Sequence, residues 1–423
     1  MSVAAEWYLA QGLDAPMLWT AQSLFHGKPP ARIGVAVSGG SDSMAALHLM
    51  ARLAPEIGWQ VEAVTVDHGL RPEALEEAEF VAATCARLNV PHAILRWARS
   101  AKTGNLQDQA RRARYRLMTD WAQSREIADM AVAHTADDQA ETFLMRLARE
   151  AGIDGLAEMR QRWKDGAVEW HRPFLYARRG DMRAYLQRQG ISWIEDPSNL
   201  NTRFARVRVR EALALLEPLG ISKSVLSEVS SHLRDVQTAL DRYCQQVAQQ
   251  IAVQQSGDLV FNWLGLLRAD HEVTRRLLIA GIRWVSGARY APRASAVGSI
   301  QLSITDRQDK TLSGCRIVYK GDTLRILREA RALRDASCPS DAIWDNRWQL
   351  SGPHAPDLTI RALGANGLLS CPDWRSTGFP RASLLASPAV WRGDTLIAAP
   401  LAGVNDAWQA RIVADFHSSL VSH

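Results

Sequence analysis

Short apolar runs alternate with amphipathic stretches through the first half of the chain. Ile33 to Val37 is a compact β-rich run, and Ser43 to Leu53 spaces its apolar residues at helical intervals. Val61 to Val66 predicts a second strand, followed by an acidic helix from Pro72 to Leu88. His92 to Trp97 predicts a third strand and Leu106 to Ala122 a basic helix. Asp129 to Ala133 then reads as a fourth strand, and Asp138 to Ala148 as another helix. Strands separated by such helices predict a parallel sheet with helices on both faces. Right-handed crossovers place the loops after the strands along one edge, which is where chemistry is expected.

The pattern changes on either side of this region. Residues 1 to 30 predict a helical extension that stops at Lys28-Pro29-Pro30. Glu195-Asp196-Pro197-Ser198-Asn199 is a turn and helix-cap signal, and long helical patterns follow at Ser222 to Ile251 and Leu266 to Val285. Gly321-Asp322 predicts a hairpin between Arg316 to Tyr319 and Leu324 to Leu327. From about residue 333 the chain is richer in Pro, Gly and Trp, with short strands at Leu358 to Arg361 and Thr395 to Ala398. The expected fold class is α/β, an N-terminal doubly wound parallel sheet with a helical middle domain and a small C-terminal β-containing domain. The expected divisions are 1–30, 31–215, 216–332 and 333–423.

Composition narrows the function classes. The 423 residues are 47% hydrophobic and 22% charged, the balance of a globular protein. No apolar run approaches the roughly 20 residues of a membrane-spanning helix, so no membrane partner is expected. Met1 to Ala10 carries Glu6 and lacks the basic start and apolar core of a signal peptide, so a cytoplasmic setting is expected. Cys85, Cys244, Cys315, Cys338 and Cys371 are dispersed with no CxxC pair, against a disulfide framework, a zinc site or an iron–sulfur cluster. The net charge of +5 is compatible with a polyanionic partner without establishing one. Oligomeric state is left open, a homodimer included.

Candidate chemistry concentrates at the strand ends. Ser38-Gly39-Gly40-Ser41-Asp42-Ser43 joins the first strand to its helix. The glycines permit a tight turn with exposed backbone N–H groups, the serines add hydroxyls and cap the helix, and the helix N-terminus suits phosphate. It is not a Walker A loop, since no Gly-Lys-Ser/Thr follows. Asp42 would be repelled by phosphate unless a divalent cation such as Mg2+ neutralised the pair. Asp67 and His68 end the second strand, where an acid can receive a ribose hydroxyl or an adenine amino group. After the fourth strand come His134, Asp137, Asp138 and Glu141, whose spacing clusters carboxylates near one helix face. They can hold Mg2+ or orient a cationic nucleophile such as an amine; favourable placement in a first helical turn is the plainer alternative. Arg111 and Arg114 share a helix face beside Tyr115, suited to phosphate and base stacking. Arg203, Arg206 and Arg210 align on a helix, whereas Arg206, Arg208 and Arg210 would align on a strand.

The first of these motifs resembles the SGGxDS signature of the PP-loop ATP pyrophosphatases, with their adenine nucleotide α-hydrolase-like fold. Together with Val66-Asp67-His68-Gly69-Leu70-Arg71, the Asn105 to Tyr115 helix, His134 to Thr142, and Asp196-Pro197-Ser198-Asn199 trailed by Arg206 and Arg210, the set resembles the tRNA(Ile)-lysidine synthetase family. The similarity is strong over residues 32 to 215 and looser beyond, with a departure from Arg149 to Met159.

The resemblance implies ATP and Mg2+ as cofactors, and a tRNA(Ile) with a CAU anticodon and free L-lysine as partners. In that reaction ATP adenylates the 2-carbonyl oxygen of the wobble cytidine, and the lysine ε-amine then displaces AMP. The roles it implies are phosphate binding by Ser38 to Ser43, Asp42 with Mg2+ or the amine, and Asp137, Asp138 and Glu141 for lysine. His134 would handle protons or phosphate. Arg111, Arg114, Arg206 and Arg210 would stabilise phosphate charge or hold the anticodon backbone, with Arg203 and Asn199 on the tRNA. Rival readings are a PP-loop thiolase making 2-thiocytidine, disfavoured by the missing CxxC, a small-molecule ligase, and a tRNA-binding module without catalysis.

Overall fold

The computed structural model describes residues 11–25, 29–69, 74–97, 106–195, 203, 205–288, 290–405 and 407–420. The chain forms two compact units, Met1–Gln237 and Thr238–His423.

The first unit is built on a six-stranded sheet. Its elements in chain order are α1 (Ala15–Leu24), β1 (Arg32–Ala36), α2 (Ser41–Ile57), β2 (Gln60–Asp67), α3 (Ala74–Arg87) and β3 (His92–Arg96). They continue with α4 (Leu106–Ser124), β4 (Asp129–Val132), α5 (Ala136–Leu147), β5 (Arg162–Asp165), β6 (Val168–His171), α6 (Arg179–Arg188), α7 (Ala205–Leu216) and α8 (Lys223–Ile251), whose residues from Thr238 on belong to the second unit. The strand order is β3-β2-β1-β4-β6-β5. All neighbours pair parallel except β5 with β6, which form an antiparallel hairpin at the edge. The chain builds outward from β1 to β3, then returns to the other side of β1 to lay down β4. That reversal makes the β1–β4 gap the switch point of the sheet, where doubly wound folds bind ligands.

Alternation along the strands feeds two cores. Ile33, Val35 and Val37 pack with Met44, Leu47 and Met50 of α2, Leu18 of α1, Val81 of α3 and Met182 of α6. Ala36, Val64, Met130 and Val132 face the other way, onto Met118, Trp121 and Ala122 of α4 and Trp170 of β6. The doubly wound sheet with helices on both faces is therefore as the sequence predicts. The β5–β6 hairpin was not legible, because Arg162–Asp165 is too polar and Val168–His171 too short to read as strands. His171 Nε2 lies 2.7 Å from Asp129 Oδ1, tying β6 to β4.

The second unit contains a five-stranded antiparallel sheet in the order β7-β8-β11-β10-β9. Its strands are β7 (Ala252–Gln255), β8 (Asp258–Asn262), β9 (Lys310–Leu312), β10 (Cys315–Lys320) and β11 (Thr323–Arg328). The hairpin expected at Gly321-Asp322 is present, pairing Cys315 with Arg328 through Lys320 with Thr323. The helix read from Leu266 to Val285 is instead two helices, Trp263–Arg268 and His271–Ser286. Asp270, with φ −55 and ψ 146, is extended and restarts the backbone. Further on, Leu358–Ala362 pairs with Pro388–Arg392, which pairs with Thr395–Ala398.

Arg347 is the buried fastener of this unit. It is 4% exposed, and its guanidinium donates to Val285 O and Gly257 O, each at 2.7 Å, beneath the Trp284 ring. Burial pulls its pKa down to about 10, partly offset by Asp345. Arg347→Met strands two buried carbonyls, and hydrogen bonds to a charged group contribute about 1.5–3 kcal/mol each. The expected result is a loss of about 3 kcal/mol in denaturant unfolding of the full chain, read on the second unit's tryptophans.

Candidate active site at the sheet switch point

The strands β1 and β4 end side by side, and each hands its chain to a helix whose N-terminus opens on the same space. A helix leaves the N–H groups of its first turn without internal partners, and at α2, which no side chain caps, they make an anion-binding corner; the α5 terminus is filled by its own Asp138. A cavity of about 760 Å³ lies there, lined by Ser38, Gly40, Ser41, Asp42 and Ser43 from one loop and His134 and Asp138 from the other. His68, Arg111, Arg114, Tyr115 and Arg210 join its wall, with Arg179, Arg183 and Glu195 opposite.

The phosphate-type loop is closed by its own hydroxyls. Ser43 Oγ accepts from the Ser38 amide at 3.1 Å and donates to Gly40 O at 3.0 Å. Gly40 is the residue at the N-cap of α2, and no side chain caps that helix, so the serines shape the loop instead of capping. Gly39 sits at φ +85, and a Cβ there would lie 2.8 Å from Ile194 Cδ1. Its carbonyl accepts from the Ile194 amide at 2.9 Å, so Gly39 forms the back of the turn and not the cavity wall.

The acids form one ion-pair network around Arg179. Its Nε donates to Asp42 Oδ2 at 2.8 Å, Nη1 to Glu141 Oε1 at 3.1 Å and Nη2 to Asp138 Oδ1 at 3.4 Å. Its backbone N–H donates to Asp137 Oδ2 at 2.8 Å, and Lys223 Nζ holds the other oxygen at 2.7 Å. Arg210 Nε reaches Glu141 Oε1 at 2.6 Å, and Arg206 Nε lies 3.8 Å from Glu141 Oε2. Asp138 divides its duties. Oδ2 accepts from the Thr135 amide and hydroxyl, the capping role, while Oδ1 faces Arg179.

Burial pushes the Asp42 carboxyl above its ordinary range, and the Arg179 charge recovers only part of that rise. For Asp137 burial also works upward, but the Lys223 and Arg179 hydrogen bonds and charges outweigh it and leave the carboxyl low. Asp138 ends low by the same balance, burial against Arg179, His134 and the Thr135 amide. Asp42 could supply one hard oxygen ligand in the phosphate loop, since among the described residues its Oδ1 is engaged only by Ser41 Oγ at 3.3 Å. Magnesium typically takes one or two carboxylates plus substrate phosphates, so the residues present fit that ion.

His134 is a neutral donor. Burial, then the Arg172 charge, drives its pKa far below the ordinary imidazole value. Arg172 Nε donates to His134 Nδ1 at 2.9 Å, which leaves the ring proton on Nε2. Burial, then the Arg114 charge, also lowers the His68 pKa, and its Nδ1 is buried without a partner among the described residues. Asp67 Oδ1 accepts from the Gly69 amide at 2.8 Å, and Asp67 is not among the cavity-lining residues. Arg111 lies 5.2 Å from the Tyr115 ring centroid.

The alternatives for the arginine stretch resolve as a helix, since Arg206 and Arg210 lie on α7. Asp137 and Glu141 are buried and do not line the cavity, Arg203 is exposed, and Asn199 lies outside the described residues.

A family model described as a PP-loop domain matches residues 16–217. The tRNA(Ile)-lysidine synthase of Ruegeria pomeroyi is 45% identical over 402 residues, covering 94% of this chain and 96% of its own. The chain belongs to the tRNA(Ile)-lysidine synthase family. The namesake enzyme of Wolbachia sp. subsp. Brugia malayi is 33% identical over 78% of this chain and 80% of its own. That of Zymomonas mobilis is 36% identical over 69% and 86%.

In this member of the lysidine synthase family, sequence reasoning missed Arg179, Arg183, Arg172 and Lys223. Arg179 and Lys223 each open a helix far along the chain from their acids, and no local spacing signals such partners. Arg172 follows the unforeseen β6 strand directly.

Proposed function

We propose that this protein uses ATP to join lysine to C2 of the wobble cytidine in tRNA(Ile) with a CAU anticodon, forming lysidine. The observation that carries the reading is the phosphate-type loop and a buried acid network meeting at the β1–β4 switch point of a chain in this family.

The cytosine O2 attacks the α-phosphorus of ATP, and pyrophosphate leaves. A free cytosine oxygen is a poor leaving group at neutral pH, and adenylation turns it into AMP. The lysine ε-amine then attacks C2, and AMP departs with the former carbonyl oxygen. In this assignment Ser38, Gly39, Gly40, Ser41 and Ser43 shape the phosphate cradle, and His68 flanks the nucleoside, with Asp67 bracing its turn through the Gly69 amide. Asp42 would hold Mg2+, whose charge would offset the phosphates. His134 offers its Nε2–H to a phosphate or cytosine oxygen as a fixed donor, a role suited to a neutral ring. Arg111 and Arg114 offset charge on the departing pyrophosphate, and Arg203, Arg206, Arg210 and Asn199 belong to the tRNA backbone. Asp137, Asp138 and Glu141 receive ammonium groups of lysine.

The finer partition also belongs to this proposal, with 31–215 catalytic, 216–332 gripping tRNA and 333–423 as a separate small domain. Among the described residues no helix is long and apolar enough to cross a membrane. A cytoplasmic setting accords with a tRNA substrate.

Incubating the protein with ATP, Mg2+, lysine and a tRNA(Ile) transcript, then digesting to nucleosides for mass spectrometry, tests the reading. One cytidine should gain the mass of lysine less water; an unmodified digest sinks it. Asp137→Ala should raise the KM for lysine about tenfold, the equivalent of about 1.4 kcal/mol, with the KM for ATP changed far less. Steady-state titration of each substrate decides this.

A further inference from the structure

Four carboxylates of the site meet four cations. Asp42, Asp137, Asp138 and Glu141 face Arg179, Arg206, Arg210 and Lys223. Among the described residues each of these carboxylates is thus already opposed by a cation before any substrate ammonium arrives. Something must give way if the acids are to receive an amine.

The four cations differ in how firmly they are held. Arg179 is 19% exposed and bound to three acids, and Arg210 is 30% exposed with a 2.6 Å contact to Glu141. Arg206 is 44% exposed but 3.8 Å from its acid, a contact without a hydrogen bond. Lys223 is 46% exposed, yet its Nζ sits 2.7 Å from Asp137 Oδ1, a side chain only 10% exposed. An ammonium reaching in from solvent thus covers an otherwise buried acid. The Lys223 end of the pair is screened by solvent, so its hold on Asp137 is weaker than that of a fully buried pair, while the buried acid still requires a cation in that place.

The chemistry of the covering group is specific. Only six of the 50 basic residues in the chain are lysine, and one of them stands here, amid arginines. A guanidinium would grip Asp137 through a two-pronged fork, whereas an ammonium is a point charge that another ammonium can replace atom for atom. Exchange of one for the other leaves the charge balance of the network unaltered.

We propose that Lys223 is an internal stand-in for the substrate, its ammonium occupying the Asp137 subsite that an ammonium of free lysine takes by displacing it. The inference rests on the lysidine synthase reading above and names the occupant of its amine subsite. Lys223 is here a positioning residue. It keeps Asp137 ionised and the network neutral between turnovers, and its displacement sets the apparent affinity for lysine.

The test is the dissociation constant of lysine, by calorimetry on the full chain with Mg2+ and a non-hydrolysable ATP analogue, for the natural sequence, Lys223→Met and Lys223→Arg. Removing the competitor should tighten lysine binding about threefold to tenfold in Lys223→Met, and the forked guanidinium should weaken it in Lys223→Arg. Norleucine, which lacks the side-chain ammonium, reports which of the two ammonium groups of lysine enters the subsite. Lysine binding unchanged or weakened in Lys223→Met overturns the proposal, the first marking a structural ion pair and the second a direct ligand. Should Lys223→Met fold poorly, Lys223→Arg retains the ion pair, and natural affinity in that variant overturns it equally. If the natural protein forms no lysidine in the nucleoside assay, the functional reading fails separately.

Discussion

Arg179→Met should lower kcat/KM for lysidine formation by about a hundredfold or more, a loss of at least about 2.7 kcal/mol in transition-state stabilisation. The reason is the position of the guanidinium, which hydrogen-bonds Asp42, Asp138 and Glu141 at once. Without it the three side-chain carboxylates face one another across a largely buried space. Asp42 already has its pKa raised by burial, and the Arg179 charge is the first influence that opposes the rise. Losing that charge moves Asp42 further up. If the reaction needs Asp42 ionised, the acidic limb of the pH–rate profile moves to higher pH. Arg179→Lys keeps a charge but cannot span three acids, so it should recover only part of the rate. Steady-state kinetics across pH decide the matter, and an unmoved acidic limb would show that Arg179 does not govern Asp42.

Gly39→Val should be nearly as damaging, but to the first half-reaction. Gly39 holds φ +85, a region that costs L-residues about 1–2 kcal/mol and β-branched ones more. The new Cβ would also press within 2.8 Å of Ile194 Cδ1, behind the phosphate loop. The loop must shift, and with it the Ser38–Ser43 contact that closes it. tRNA-dependent exchange of labelled pyrophosphate into ATP should fall about a hundredfold, with Gly39→Ala milder because alanine is not branched at Cβ. Exchange at the natural rate in both variants would remove the loop from nucleotide binding.

The strands β1 to β4 were legible because they are short apolar runs, β1, β2 and β4 largely buried, whose intervening helices carry amphipathic spacing, signals that survive without tertiary context. The phosphate loop was legible for a related reason, since a strand, two glycines and a helix are contiguous. Other features depend on contacts distant in sequence. Arg179 lies 137 residues from Asp42, and Lys223 lies 86 from Asp137. Nothing in the composition of either neighbourhood marks these arginine and lysine residues among the other basic side chains. The motif acids were found, but as a free negative cluster. Their neutralisation by four cations required the fold. The broken helix at Asp270 escaped because apolar spacing continues across the break, while a single extended residue resets the direction.

The β5–β6 hairpin carries a last consequence. Side chains along a strand alternate between faces, so its register decides which residues point where. Trp163 stands opposite Trp170, and Arg172, two residues after Trp170, is stacked 3.9 Å from the Trp163 ring centre while its Nε holds His134. The tautomer of a histidine at the sheet switch point is therefore set by how a remote edge ribbon is threaded. One residue gained or lost at the Gly166 turn would rotate that tryptophan pair out of step and silence a donor that the turn never touches.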